Sequence, residues 1–91
     1  MALSPKQRQH LKAQAHPLKP MVSIGQNGLT EAVTKELDSA INFHELMKVK
    51  LHIKDRDLRQ EIYEEMCQTL GAEPVQLIGN TVVIYRKNPE K

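Results

Sequence analysis

The sequence predicts an α/β fold of the two-layer α+β kind, in the order α-β-α-β-α-β-β, with a four-stranded mixed sheet arranged 1-2-4-3. Three observations carry that prediction. Leu29, Val33, Leu37, Ala40, Ile41 and His44 recur at three- and four-residue spacing, the signature of one helical face. Residues 46–53 alternate, with Met47, Val49, Leu51 and Ile53 on one side and Leu46, Lys48, Lys50 and His52 on the other, as a half-buried strand requires. Thr81-Val82-Val83-Ile84-Tyr85 is a near-continuous apolar run joined to Val75-Gln76-Leu77-Ile78 through Gly79-Asn80, a hairpin whose second strand belongs inside a sheet.

In chain order, Ser4-Pro5-Lys6-Gln7 begins the first helix, with Ser4 as N-cap, proline at the first helical position and Gln7 three residues after the cap. It runs to about Ala15, because His16 precedes Pro17 and resists helical dihedrals. Leu3, Leu11 and Ala15 form a thin apolar stripe, so this helix docks on the domain rather than forming its centre, while Arg8 and Lys12 stack one turn apart on another stripe. Met21 to Ile24 is a short strand entered through Pro20. After the second helix and second strand, Asp55 caps a third helix with Asp57 in its first turn, Leu58, Ile62, Met66 and Leu70 along one face, and Gly71 at its C-terminal cap. Pro74 marks strand three as an edge strand. A right-handed β-α-β crossover makes the first two strands parallel, the hairpin sets strand four beside strand three, and helices two and three cover one face.

The 91 residues suit one domain, 1–91, ending in a polar tail at about 87–91. Charged residues at 26% and apolar residues at 40% describe an ordinary globule, and no stretch reaches the roughly 18 to 20 apolar residues of a membrane span. Met1 to Lys6 lacks the apolar segment of a secretory signal, and a single cysteine, Cys67, fits a reducing compartment, so a cytoplasmic location is expected. The four histidines and Cys67 show no H-x-x-x-H or C-x-x-C spacing, so neither a metal nor a cofactor is expected. No Ser or Cys has a recognisable base partner, no glycine loop ends in Gly-Lys-Ser/Thr, and the paired carboxylates are common helix-surface residues; an enzyme with a small-molecule substrate is not expected.

Net charge is only +2, but it is unevenly placed. Residues 1–28 carry Lys6, Arg8, Lys12 and Lys19 without an acid; residues 29–54 balance four lysines against four acids; residues 55–91 hold five bases and seven acids. The acid-free segment closes on Ile24-Gly25-Gln26-Asn27-Gly28-Leu29-Thr30-Glu31, a G-x-x-G loop between strand one and helix two. Glycines permit positive φ and close backbone approach, and the helix that follows offers unpaired N–H groups to a phosphate. A plain strand–turn–helix connection with a solvated basic face is the competing reading of the same residues. Aromatic residues are scarce: Phe43 follows a helical face and Tyr63 sits in helix three, so backbone and shape recognition is favoured over base stacking. His44 is read as a packed or capping histidine and Cys67 as structural.

Leu18-Lys19-Pro20, Ile24-Gly25-Gln26-Asn27-Gly28-Leu29-Thr30, His44-Glu45-Leu46-Met47-Lys48-Val49-Lys50, Ile78-Gly79-Asn80 and Ile84-Tyr85-Arg86 together resemble the CRM (chloroplast RNA splicing and ribosome maturation) domain, and the length is similar to its free-standing bacterial YhbY-like members. The resemblance implies a fold similar to the C-terminal domain of translation initiation factor three. It also implies binding to RNA, specifically ribosomal RNA in precursors of the large ribosomal subunit. Carried over by position, Gly25 and Gly28 are the backbone-approach glycines, with Gln26 and Asn27 exposed between them. Many relatives place a base inside this loop, whereas both middle residues here are neutral amides, which shifts the electrostatic work to neighbours. The expected RNA-binding set is therefore Gly25, Gln26, Asn27, Gly28, Thr30, Arg8, Lys12, Lys19, Lys48 and Lys50, with no catalytic residue and a monomer as the simplest state. The alternative is a protein-interaction module using the acidic helix 55–70 and the hairpin edge.

Overall fold

A computed structural model describes residues 3–89. The elements follow the expected order: α1 (Pro5–Ala15), β1 (Pro20–Ile24), α2 (Glu31–His44), β2 (Leu46–Leu51), α3 (Arg56–Leu70), β3 (Glu73–Ile78) and β4 (Thr81–Tyr85). The sheet runs β1-β2-β4-β3, with β1 and β2 parallel and the other two pairings antiparallel. The Val-Val-Ile run thus lies between two neighbours, and Pro74 stands on an edge. Each edge strand carries a bulge beside its proline, between Pro20 and Val22 in β1 and between Pro74 and Gln76 in β3, where the missing N–H interrupts the ladder.

Local signals act as the residues suggest. Ser4 and Gln7 close a capping box on α1; Asp55 Oδ1 accepts the N–H groups of Asp57 and Leu58 at the start of α3; Gly71 ends that helix at φ +63°. The Gly79-Asn80 turn has positive φ at its first position alone (Gly79, +57°), as a type II′ hairpin turn requires.

Helices α2 and α3 cover one face, burying Leu37, Ile41, Ile62, Met66 and Leu70 against Val22, Ile24, Met47, Val49, Leu51, Val82 and Ile84. Burying each of the larger side chains contributes about 1.5–3 kcal/mol relative to exposure. The opposite face is treated differently: α1 docks there through Leu11 and Ala15 on Val75 and Val83, with Leu3, Leu18, Leu46 and Tyr85 packed around them. Its two buried positions are the thin stripe visible in the sequence.

Two details depart from expectation. His44 is exposed rather than packed. Leu46, the first residue of β2, faces α1, and His44 meets the ring edge of Phe43, centroids 4.9 Å apart. Phe43, expected to follow a helical face, is itself 69% exposed. The tail is tethered where it leaves the sheet: Asn88 N–H donates to Glu45 Oε2 (2.6 Å) and Asn88 Nδ2 to the Asn42 carbonyl (2.8 Å). The remainder of that tail, residues 90 and 91, lies outside the described residues.

Candidate nucleic-acid interface

Parallel pairing brings the carboxyl ends of β1 and β2 to one end of the sheet. The His52 N–H donates to the Ile24 carbonyl (2.7 Å), and the Leu51 N–H donates to the Asn80 carbonyl (2.6 Å). Three connections therefore converge: the G-x-x-G loop, residues 52–55 and the Gly79-Asn80 turn. Helices α2 and α3 both begin at this end, so their positive dipole ends are there too.

Within the loop, Gly28 N–H donates to the Gly25 carbonyl (3.0 Å) and Thr30 N–H to the Gly28 carbonyl (3.1 Å). The two glycines are not equivalent. Gly28 has φ +70°, and a Cβ added there would point at Ile62 Cδ1, 3.9 Å away. Gly25 has no positive φ, and an added Cβ would meet nothing within 4 Å. The expectation that both glycines serve positive φ is thus corrected: the turn demands it at Gly28 alone, and nothing inside the molecule requires Gly25 to lack a side chain. Gln26 and Asn27 are exposed.

Thr30 is the N-cap of α2, its Oγ1 accepting the Val33 N–H at 3.2 Å. One helical N–H is thereby occupied, and the first turn also carries Glu31, which pairs with Lys35 (3.6 Å) on the helix surface. The helix terminus alone is a modest anion site, and neighbouring cations matter more.

Those cations fall in two groups. Lys50 leaves β2 one residue before its end, and Lys54 follows in the adjoining connection, where it lines a shallow pocket with Gln26, Ile53, Asp55 and Leu58. Arg56 opens α3 at the same end. Lys54 and Arg56 were not among the expected site residues; their signal lay in the parallel register, which sets the residues after Leu51 beside those after Ile24. The second group sits towards the start of β1. Lys19 precedes Pro20, whose strand partner is Lys48, and Lys48 Nζ donates to the His16 carbonyl at the end of α1 (3.1 Å). With β1 five residues long, this group is about 16 Å from the loop. Lys12, half-buried on α1, lies one turn before His16. Among the described residues Lys12, Lys19, Lys50, Lys54 and Arg56 form no ion pair.

Arg8 is not brought to the loop. Its charge and the Gln76 backbone N–H of β3 both act on the Tyr63 phenol, at the sheet edge opposite β1. Tyr63 is only 7% exposed, and burial raises its pKa above the ordinary range. Two further arginines hold structure. Arg59 Nη1 donates to the carbonyls of Ile53 (2.7 Å) and Lys54 (3.3 Å), fixing the connection after β2. Arg86 Nη1 donates to Asp38 Oδ1 (2.8 Å) and the Leu70 carbonyl (2.7 Å), joining the end of β4 to both helices.

Cys67 is buried in the α3 seam, and desolvation, reinforced by the Glu73 charge, pushes its thiol up to about 11. A thiol in that range is a poor nucleophile at neutral pH. Among the described residues, no group of three or more His, Cys, Asp or Glu side chains is placed to hold a metal, and no helix is long and apolar enough to cross a membrane.

Comparisons with known proteins bear on the chain as a whole. The family model for the CRS1 / YhbY (CRM) domain matches residues 3–86. A probable RNA-binding protein of Pseudomonas aeruginosa is 44% identical over 90 residues, covering 99% of this chain and 86% of that one. An RNA-binding protein of Haemophilus influenzae is 47% identical over 88 residues, covering 97% and 89%. The solution structure of a Staphylococcus aureus protein, a candidate RNA-binding protein, superposes with a TM-score of 0.84 at 34% identity, covering 93% of this chain and 88% of that one.

Proposed function

The chain belongs to the CRS1 / YhbY (CRM) domain family, and from that premise we propose that it is a non-catalytic RNA-binding protein of the cytoplasm that associates with ribosomal RNA in precursors of the large ribosomal subunit. Binding to RNA has direct support in the relatives that carry that description. The ribosomal target rests on the resemblance of the motifs from Leu18 to Arg86 to the family's bacterial members. The observation that carries the site is Gly25, a glycine without positive φ and with open space where a Cβ would stand, on an exposed loop beside cations that have no carboxylate partner among the described residues. A position kept open without internal need is suited to close approach from outside. A phosphate there accepts backbone and amide N–H donors from Gln26 and Asn27, while Lys50, Lys54 and Arg56 supply the field and release counterions.

The protein-interaction reading is less favoured by the β3 edge. Pro74 has no N–H and the adjoining bulge interrupts the ladder, so an added strand would find few donors.

Gln26→Asp combined with Asn27→Asp tests the loop. Because both side chains are exposed, the urea midpoint is expected to move little, whereas affinity for ribosomal RNA fragments falls about tenfold or more through repulsion of phosphate. Unchanged affinity in fluorescence anisotropy would remove the loop from the interface. Sedimentation of cell extract at low and raised salt tests the ribosomal target, with salt-sensitive co-migration with large-subunit precursors as the expected result.

A further inference from the structure

Side chains on the α1 side of the sheet form a second candidate surface beside the loop. Directly paired residues project to the same side, and the register aligns Ser23 with Lys50, Lys50 with Thr81, and Thr81 with Ile78. Their neighbours Val22, Ile24, Val49, Leu51 and Val82 belong to the core under α2 and α3, which fixes this row on the opposite face. Helix α1 covers that face only over Val75, Val83, Leu46 and Tyr85. Lys48, paired with Val83 and bonded to the α1 terminus, marks the boundary. Beyond it the row is uncovered: Ser23 is exposed, Lys50 and Thr81 are half-buried, and Ile78 is 59% exposed. Met21, two residues before Ser23, is 38% exposed. Among the described residues, the Ser23 and Thr81 hydroxyls and the Lys50 ammonium have no hydrogen-bond or ion-pair partner.

We propose that this uncovered strip seats the bases of a single-stranded RNA segment whose backbone runs from the G-x-x-G loop onto the sheet. The inference rests on the RNA-binding reading above and adds the kind of RNA and where its bases lie. Continuity is given by the chain itself, since Ser23 is two residues from Gly25. Four strands at about 4.8 Å spacing make the row about 14 Å wide, enough for a few unpaired bases. Its chemistry alternates as a base seat requires: aliphatic surface at Ile78 for dispersion contact with a ring face, hydroxyls at Ser23 and Thr81 for base edges, and the Lys50 ammonium for the backbone. Helix α1, about 10 Å across, stands as a wall along one side of the strip. A flexible single strand follows that step, whereas a stiff duplex is held above it.

The test compares a uridine-rich single-stranded oligonucleotide with a duplex of equal length, using full-length protein and fluorescence anisotropy at two salt concentrations. Ile78→Glu is expected to weaken single-strand binding about tenfold while leaving duplex binding and the urea midpoint nearly unchanged. Gln26→Asp with Asn27→Asp is expected to weaken both ligands. If Ile78→Glu leaves single-strand affinity within about twofold, the strip is not the base seat, whatever the loop variant does. Equal wild-type affinity for duplex and single strand also overturns the inference while sparing the RNA-binding reading; no binding to either overturns both. Ile78→Ser guards against misfolding by Ile78→Glu. Photocrosslinking through 4-thiouridine gives a second readout, with the expected crosslink on 73–85 and a crosslink confined to α1 counting against the strip.

Discussion

The two ends of the sheet use the same kinds of side chain to opposite effect. Where β4 finishes, the Arg86 guanidinium is engaged by Asp38, the Leu70 carbonyl and Asn42, and the backbone of residues 86–88 is bonded to Glu45. Where β1 and β2 finish, Lys50, Lys54 and Arg56 have no carboxylate partner among the described residues, at the end that carries a loop with no charge of its own. A cation bound on several sides holds the fold; a cation left in water is available to an outside anion. The same contrast separates Gly28, which the turn needs, from Gly25, which it does not.

The largest expected effect breaks the paired end. Arg86→Ala strands the Leu70 carbonyl and Asp38 and should cost about 2–3 kcal/mol in urea unfolding, with RNA affinity per folded molecule unchanged. Lys54→Gln with Arg56→Gln should do the reverse: stability within about 0.5 kcal/mol, but a shallower dependence of affinity on salt, by about one per lost phosphate contact. If the two variants moved the same observable, the division between structural and available cations would be wrong. A finer contrast lies within the loop. Gly28→Ala forces a side chain into φ +70° and should cost about 1–2 kcal/mol, whereas Gly25→Ala should leave stability nearly unchanged and reduce RNA affinity. Equal destabilisation by both would show that the fold itself uses Gly25. The smallest effect concerns Cys67. Its thiol titrates near 9 when unfolded and at about 11 when folded, so its contribution is complete below pH 9 and is lost as pH rises towards 11. The unfolding free energy of Cys67→Ala should therefore fall less steeply over that interval than that of the original chain.

Much of the fold is legible in the chain because local and global signals agree. Ser4-Pro5, Asp55 and Gly71 mark helix ends by their own hydrogen-bonding and dihedral preferences, and the Val82-Val83-Ile84 run against Pro74 orders the hairpin within the sheet. What the chain does not spell out is set by distant partners. His44 keeps the helical period yet stays exposed against the Phe43 ring, while Leu46 of the strand beneath faces α1. The G-x-x-G spelling cannot tell which glycine adopts positive φ, because the turn's hydrogen bonds decide it. Lys54 joins the site only because the parallel register sets it beside Gln26, and Arg8 reads as part of a basic stripe although its helix carries it to the far edge.

The Pro74 bulge has a consequence for the protein as a crowded solute. An open strand edge can recruit the same edge of another molecule, and the product is an ordered aggregate. Here the edge is broken by Pro74 and twisted by the adjoining bulge. Collisions between copies find little ladder to extend there.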